Sequence, residues 1–231
     1  MKALMIDTAT ESGSVALYEN DKLLGAITFN TQLKHLQSLH IAIKNLLALF
    51  HTNIKDISLI GVDTGPGSFT GIRIGVTAAR AFAQAGKMFI EATSSLKLLA
   101  YKIPFEEYVI CSIIDGKKGR VYTGFFKRNK KRIAKLSPFY DITPEQLAEI
   151  IKQKFNDNKI VFVGNGQIEY KKYLQKNIKK AIFTDKNFYY PEAKDIYFLI
   201  KKNNYNKDYN KIIPFYLRKS DAEEKSKIII I

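Results

Sequence analysis

Asp7 closes the apolar run Ala3-Leu4-Met5-Ile6, and Thr8, Thr10 and Ser12 follow it closely. A carboxylate at a strand end beside a hydroxyl-rich turn can approach the phosphates of a nucleotide, or their metal. The same residues also build a turn that bonds only its own backbone, and the spacing favours that simpler use. A second candidate is Thr64-Gly65-Pro66-Gly67-Ser68-Phe69-Thr70-Gly71, set between an apolar run and a helical stretch. Backbone N–H groups at a helix start attract anions, which would make Gly65, Gly67 and Ser68 a phosphate cradle. The turn is not a Walker A loop, because no Lys-Ser/Thr pair follows a glycine at the required place. It also misses G-x-G-x-x-G, since the third glycine, Gly71, arrives one residue late. A tight strand-to-helix crossover needs the same small residues without any ligand, so both readings stay open.

His35 and His40 raise the question of a metal. Five positions apart on a helix, they point about 140° away from each other, whereas a shared metal needs i,i+3 or i,i+4 spacing. No metal site is expected from this pair. Cys111, the single cysteine, sits inside Tyr108-Val109-Ile110-Cys111-Ser112-Ile113-Ile114 and reads as a small buried hydrophobe. With no disulfide to form within the chain, a reducing cytoplasm is the expected compartment.

The elements that must position these residues follow from periodicity. Residues 3–8, 14–18 and 23–29 read as strands, and 34–50 as an amphipathic helix with Leu36, Leu39, Ile43, Leu46, Leu47 and Phe50 along one face. Ile41, Ala42, Ala48 and Leu49 add a second apolar patch to that helix. Residues 57–63 form the strand entering the glycine turn, and 70–86 the helix leaving it, capped by Ser68 or Thr70. That helix carries one polar stripe (Arg73, Thr77, Arg80, Gln84) and one row of small residues (Gly71, Gly75, Ala79, Ala83). A helix so apolar is buried on more than one side. One side lies on its own sheet, which leaves the other for a further element or another protein chain.

Residues 88–92 read as a short strand and 94–101 as a helix, with a boundary near Ile103-Pro104 that divides the chain into 1–103 and 104–231. The second part restarts with strands at 108–114 and 120–127, a helix capped at Thr143 with Pro144 in its first turn, a strand at 160–163 and a helix to about Lys176. Residues 186–211 read as polar, weakly patterned and peripheral. The tail ends in Ile228-Ile229-Ile230-Ile231, a liability unless docked, and can return to the first half. Two α/β halves of like order are suggested, without a clear sequence repeat.

The chain of 231 residues carries a net charge of +15, distributed as +2 over residues 1–100 and +13 over 101–231. A basic half invites contact with nucleic acid, since phosphate neutralisation drives such binding. A Lys/Ile/Asn-heavy composition offers a bland source for the same excess. No apolar run approaches the ~18 residues that span a membrane, and no signal peptide is expected from the first residues.

Asp7-Thr8 with its hairpin, His35 at the opening of the first helix, and Gly65-Pro66-Gly67-Ser68-Phe69-Thr70-Gly71-Ile72-Arg73 together resemble the TsaB (YeaZ) family. Asp115-Gly116-Lys117-Lys118-Gly119-Arg120-Val121-Tyr122 and Pro214-Phe215-Tyr216-Leu217-Arg218 are weaker echoes of the same family. The resemblance is dense over residues 1–100 and sparse beyond. It implies an actin-like/Hsp70-like (ASKHA) fold of two related α/β halves, and a part in making N6-threonylcarbamoyladenosine in tRNAs that read codons starting with A. It further implies a non-catalytic subunit that pairs with TsaD, which carries the metal and transfers the group, while the ATPase TsaE joins the pair. A homodimer is implied when TsaD is absent, and tRNA is met through the complex.

On that resemblance no catalytic or metal-binding residue is expected in this chain, and no cofactor is required by it, while the complex can hold ATP or ADP with Mg. TsaD-type proteins show His-x-x-x-His on the first helix, a spacing His35 and His40 lack. Asp7, Thr8, Thr10, Ser12, Gly65, Gly67 and Ser68 are the nucleotide-binding candidates. His35, Leu39, Ile43, Thr70, Arg73, Val76, Ala79 and Arg80 are the interface candidates. Val76→Glu or Ala79→Arg is accordingly expected to break pairing without unfolding. The rival expectations are an active phosphotransferase or metalloprotease-like enzyme on the same fold, resting on Asp7 and the glycine turn, and a stand-alone RNA-binding module, resting on the basic half.

Overall fold

The alternation of short apolar strands with amphipathic helices resolves into two sheets, each covered on both faces. A computed structural model describes residues 1–30, 35–130, 132–200 and 205–218, with His35 and Leu36 described through their backbone alone. Lys34, the side chain of His35 and the Ile228–Ile231 tail therefore lie outside the described residues.

In the first half, β1 (Lys2–Asp7), β2 (Ser12–Glu19) and β3 (Lys22–Asn30) form an antiparallel meander. Helix α1 (His35–Leu49) leads to β4 (Ile57–Asp63), and α2 (Phe69–Gly86) leads to β5 (Phe89–Thr93). Strands β4 and β5 extend the sheet in parallel with β1, in the order β3-β2-β1-β4-β5. Helix α3 (Ser95–Tyr101) follows.

The second half repeats this plan. Strands β6 (Val109–Asp115), β7 (Val121–Asn129) and β8 (Arg132–Lys135) are antiparallel, and β9 (Tyr140–Ile142) also pairs with β7. Helix α4 (Pro144–Lys154), β10 (Ile160–Val163), α5 (Gly166–Asn177), β11 (Ala181–Phe183) and α6 (Ala193–Ile200) complete it. Strands β10 and β11 run parallel to β6, so the sheet reads β8-β7-β6-β10-β11. The third-second-first-fourth-fifth order is thus common to both sheets, although no sequence repeat announces it.

The halves exchange a helix. Helix α3 leaves the first sheet and packs Leu96, Leu99 and Ala100 with Ile110, Ile114 and Phe126 of the second. Helix α6 returns from the second sheet and packs Ala193, Ile196, Tyr197 and Ile200 on Ala3, Met5 and Leu59 of the first. Tyr197 stacks on Tyr18 with ring centroids 4.3 Å apart. The layers are α1 and α2, the first sheet, α6 with α3, the second sheet, then α4 and α5.

Residues 186–211 are therefore not all peripheral. Helix α6 lies at the centre of the molecule, and its apolar positions 193, 196, 197 and 200 hold the helical spacing expected of a buried face. Only its length, 8 residues amid Asn, Lys and Tyr, hides it in the sequence. Strands β8, β9 and β11, of 3 or 4 residues each, are equally invisible to periodicity. Cys111 is fully buried and burial pushes its thiol up to about 12, which suits a packing role.

Candidate functional site

Parallel strands end on the same edge of a sheet, so β1 and β4 bring Asp7 and Asp63 side by side. Both carboxyls are completely buried. Asp63 accepts from Gly65 N at 2.8 Å and from Ser95 Oγ at 2.7 Å. Asp7 accepts from Ala9 N through Oδ1 at 3.0 Å, while its Oδ2 is buried without a partner. Burial, then the charge of Asp63, raises the Asp7 carboxyl well above the ordinary carboxylate range. Burial likewise pushes Asp63 up to about 6, against the lowering effect of the Ser95 and Gly65 bonds.

A carboxyl raised on folding makes the native state bind more protons than the unfolded chain. For Asp63 that contribution is fully present below the unfolded value of about 4 and is lost as pH rises through about 6; Asp7 is shifted in the same direction and adds to the fall. Asp7→Asn keeps the bond to Ala9 N and puts an N–H donor where the partnerless Oδ2 now stands. We expect Asp7→Asn to flatten this fall in stability and to raise the urea midpoint at pH 7.5, by about 1–2 kcal/mol. Urea titrations of both proteins at pH 4.5, 6 and 7.5 measure the difference, and parallel pH profiles would refute it.

The glycine turn is packed against the first hairpin. Ser68 N donates to Ala9 O at 2.7 Å, and Thr8 Oγ1 donates to Gly71 O at 2.7 Å. A Cβ at Gly67 would stand 2.0 Å from Ala9 O, and one at Gly71 2.1 Å from Thr8 O. Ser68 caps α2 by accepting from Gly71 N, and Ile72 N donates to Ser68 O. The amides of Gly65, Ser68, Gly71 and Ile72 are thus bonded within the chain, and the two carboxylates do not reach the surface. In this arrangement those residues offer neither an exposed carboxylate nor these four amides to a phosphate or its metal. They serve the crossover from strand to helix.

The structure separates the nucleotide candidates into two groups. Asp7, Thr8, Gly65, Gly67 and Ser68 converge as described. Thr10 is buried in the hairpin turn and donates to Ser12 O at 3.2 Å. Ser12 lines a shallow cavity of about 270 Å³ with Glu11, Thr28, Phe29, Asn30 and Tyr190. Across the gap between the halves, Asp115 ends β6 as Asp7 ends β1, and its amide donates to Asn165 Oδ1 at 3.1 Å. Lys117 pairs with Asp115 at 2.7 Å and with Glu11 at 3.6 Å, so the two hairpin turns touch.

The interface candidates also divide. The expected outward placement of Leu39, Ile43, Val76 and Ala79 does not hold, because all four are buried in the core between the helices and the first sheet. The small-residue row faces inward too: Gly75 lies where a Cβ would meet Thr8 Oγ1 at 2.3 Å, and Ala79 and Ala83 are fully buried. Small residues let a backbone approach, and the backbone that approaches is the chain's own hairpin. Thr70 and Arg73 are exposed and Arg80 is half-buried, on the same side as Thr77 and Gln84. On α1 the second apolar patch divides: Ala42 is buried in the core, while Ile41 is 58% and Leu49 68% exposed, beside exposed Lys44, Asn45 and Ala48. His40 is exposed, its ring 6.3 Å from that of Phe82.

Residues 205–218 form a strap, of which the part up to 211 was expected to be peripheral. Ile90 N donates to Asn206 O, Ile212 joins the core under α2, and Arg80 donates to Asn210 Oδ1. Arg73 lies 4.0 Å from the Phe69 ring centroid and donates to Tyr216 OH at 3.0 Å. Phe215 N donates to Thr64 O, and Arg218 then crosses to the second half, gripping Asp141 at 2.8 and 2.7 Å and Gly116 O at 3.0 Å. The Pro-x-Tyr-Leu-Arg echo marked this segment, but not its partners.

Two sheets of common strand order with exchanged helices, and a strand-end carboxylate at the mouth of each, define an actin-like/Hsp70-like α/β protein. The family model described as "TsaD: tRNA N6-adenosine threonylcarbamoyltransferase" matches residues 23–226. The chain is 29% identical to the tRNA threonylcarbamoyladenosine biosynthesis protein TsaB of Bacillus subtilis, over 97% of both chains. It is 31% identical to TsaB of Buchnera aphidicola subsp. Schizaphis graminum, over 87% of this chain and 94% of that one. YeaZ from Pseudomonas aeruginosa superposes with a TM-score of 0.73 at 24% identity, covering 86% of this chain and 89% of the other. The chain belongs to the TsaB family. Among the described residues no helix is long and apolar enough to cross a membrane.

Proposed function

We propose that this chain is a non-catalytic subunit that pairs with TsaD, and through it with TsaE, in forming N6-threonylcarbamoyladenosine in tRNAs reading A-starting codons. The observation that carries the reading is the open outer face of α1 and α2. A helix layer that has already buried its inward stripe still leaves Ile41 and Leu49 mostly exposed, and such side chains gain by covering. Thr70, Arg73, Thr77 and Gln84 supply the polar part of that face. The same surface serves a second copy of the chain when TsaD is absent. Family membership supplies the pathway, and the compartment that fits it is the cytoplasm.

The bonded amides and buried carboxylates of the glycine turn favour a nucleotide and Mg held by the partners of the complex rather than at Asp7, Gly65, Gly67 and Ser68. The test is co-elution of the purified chain with its cognate TsaD, together with modification of an unmodified tRNA transcript with and without the chain. Ile41→Glu is expected to weaken pairing about 10- to 100-fold, as for a central interface side chain, with an unchanged thermal midpoint. Failure to co-elute, modification that proceeds without the chain, or steady ATP turnover by the isolated chain would overturn the reading.

A further inference from the structure

The densest run of charge in the molecule is unrelated to the helix face. Residues 127–135, Lys-Arg-Asn-Lys-Lys-Arg-Ile-Ala-Lys, hold six basic residues and no acid. Among the described residues, 127–129 end β7 and 132–135 are all of β8, an outer strand of the second sheet. Arg128 is spent on the fold, donating to Tyr101 O, Ile103 O and Lys130 O. Ile133 is buried in the core under α3. The rest of the charge is outward: Lys127, Lys130, Arg132 and Lys135 are exposed, and among the described residues none of their side chains is paired with a carboxylate. Glu106 accepts from the backbone N of Lys130 at 2.7 Å.

The register decides how the charges are arrayed. Lys127 faces Ala134 and Asn129 faces Arg132, so Lys127 and Arg132 are diagonal neighbours on one face of the ribbon, a separation of roughly 7–8 Å between such positions. Arg132 and Lys130 also border an open groove of about 670 Å³ with Asn129, Ile133 and Ala134. Unpaired cations at fixed spacing on a rigid ribbon, beside a groove, suit a polyanion whose phosphates repeat along a backbone. Basic side chains on an outer strand also have a plainer use, keeping that strand from pairing with another copy.

We propose that the β7–β8 hairpin is an RNA phosphate-contact surface, with Lys127, Lys130 and Arg132 as its contact residues. This rests on the tRNA role proposed above and adds to it the surface that meets the nucleic acid. The test uses the full chain with its cognate TsaD and a fluorescent, unmodified tRNA transcript, with affinity read between 50 and 200 mM salt. Lys127→Glu with Arg132→Glu is expected to weaken binding at least about tenfold and to reduce the salt slope by about 2, while Lys127→Arg with Arg132→Lys retains both. Wild-type affinity and slope in the reversed variant would overturn the assignment, as would an equal loss on reversing Lys176 and Lys179 of the same half.

A neutral pair, Lys127→Ser with Arg132→Ser, that self-associates with RNA affinity unchanged would instead identify the charges as edge protection. Loss of TsaD co-elution in the reversed variant, with RNA binding intact, would identify a protein contact and also refute the proposal. If wild type and TsaD do not co-elute at all, the functional reading fails first. If they co-elute and bind tRNA, and the hairpin variants match wild type, only the hairpin assignment fails.

Discussion

Val76→Glu is expected to unfold the first half of the protein rather than to detach a partner from it. Val76 is 2% exposed and shares its cluster with Leu39, Ile43, Ile60 and Val62. Removing the valine forfeits about 1.5–3 kcal/mol of burial. The new carboxylate must then be buried charged, be protonated, or force the helix off the sheet, which adds several kcal/mol more. Against a total stability of about 5–15 kcal/mol for a domain, a loss above roughly 4–5 kcal/mol, the exceptional class for a point change, is enough to unfold a domain at the lower end of that range. Ala79→Arg should act similarly, since Ala79 is fully buried and in the same cluster. Urea unfolding followed by circular dichroism is the measurement. A wild-type midpoint with lost partner binding would restore Val76 to an outward face and refute the packing described above.

Gly67→Ala is expected to cost about 3–5 kcal/mol, although it adds a single methyl. The added carbon would lie 2.0 Å from Ala9 O, a backbone atom that cannot swing aside as a side-chain end could. Relief requires the hairpin to move away from α2, which breaks the 2.7 Å bond from Ser68 N to Ala9 O. Overpacking costs roughly 1–3 kcal/mol, and leaving the carbonyl of fully buried Ala9 unsatisfied a further ~1–3 kcal/mol. Gly71→Ala meets Thr8 O at 2.1 Å and belongs to the same class. Gly119→Ala offers the control: nothing lies within 4 Å of its Cβ, and only the positive φ is penalised, by about 1 kcal/mol. Equal midpoints for the alanine variants at 67 and 119 would show that the turn is not the close crossover proposed.

These expectations separate two roles that one motif suggested together. Gly65-Pro66-Gly67-Ser68-Phe69-Thr70-Gly71 is distinctive because a hairpin, a helix start and the strap converge on it, and each approach demands a small residue or a cap. Arg73 extends the same logic outward, lying on Phe69 and bonding Tyr216. The motif therefore marks the junction on which the outward helix face depends, without itself being that face.

Much of the architecture was legible beforehand, because strand alternation, helical periodicity and caps are local properties. Of the two caps offered for the helix after the glycine turn, Ser68 is the one used, Thr143 caps its helix as expected, and the strand-end position of Asp7 is visible in six residues of sequence. What the sequence could not rank is which side of an apolar helix faces home. The row Gly71, Gly75, Ala79 and Ala83 announces that a backbone comes near, but residue size does not say whose backbone. Only the packing of the first hairpin against α2 decides that. Pairings such as Arg218 with Asp141, 77 residues apart, and the return of α6 to the first sheet depend on two remote segments meeting. Local patterning determines which elements form, whereas burial of their shared surfaces selects their neighbours.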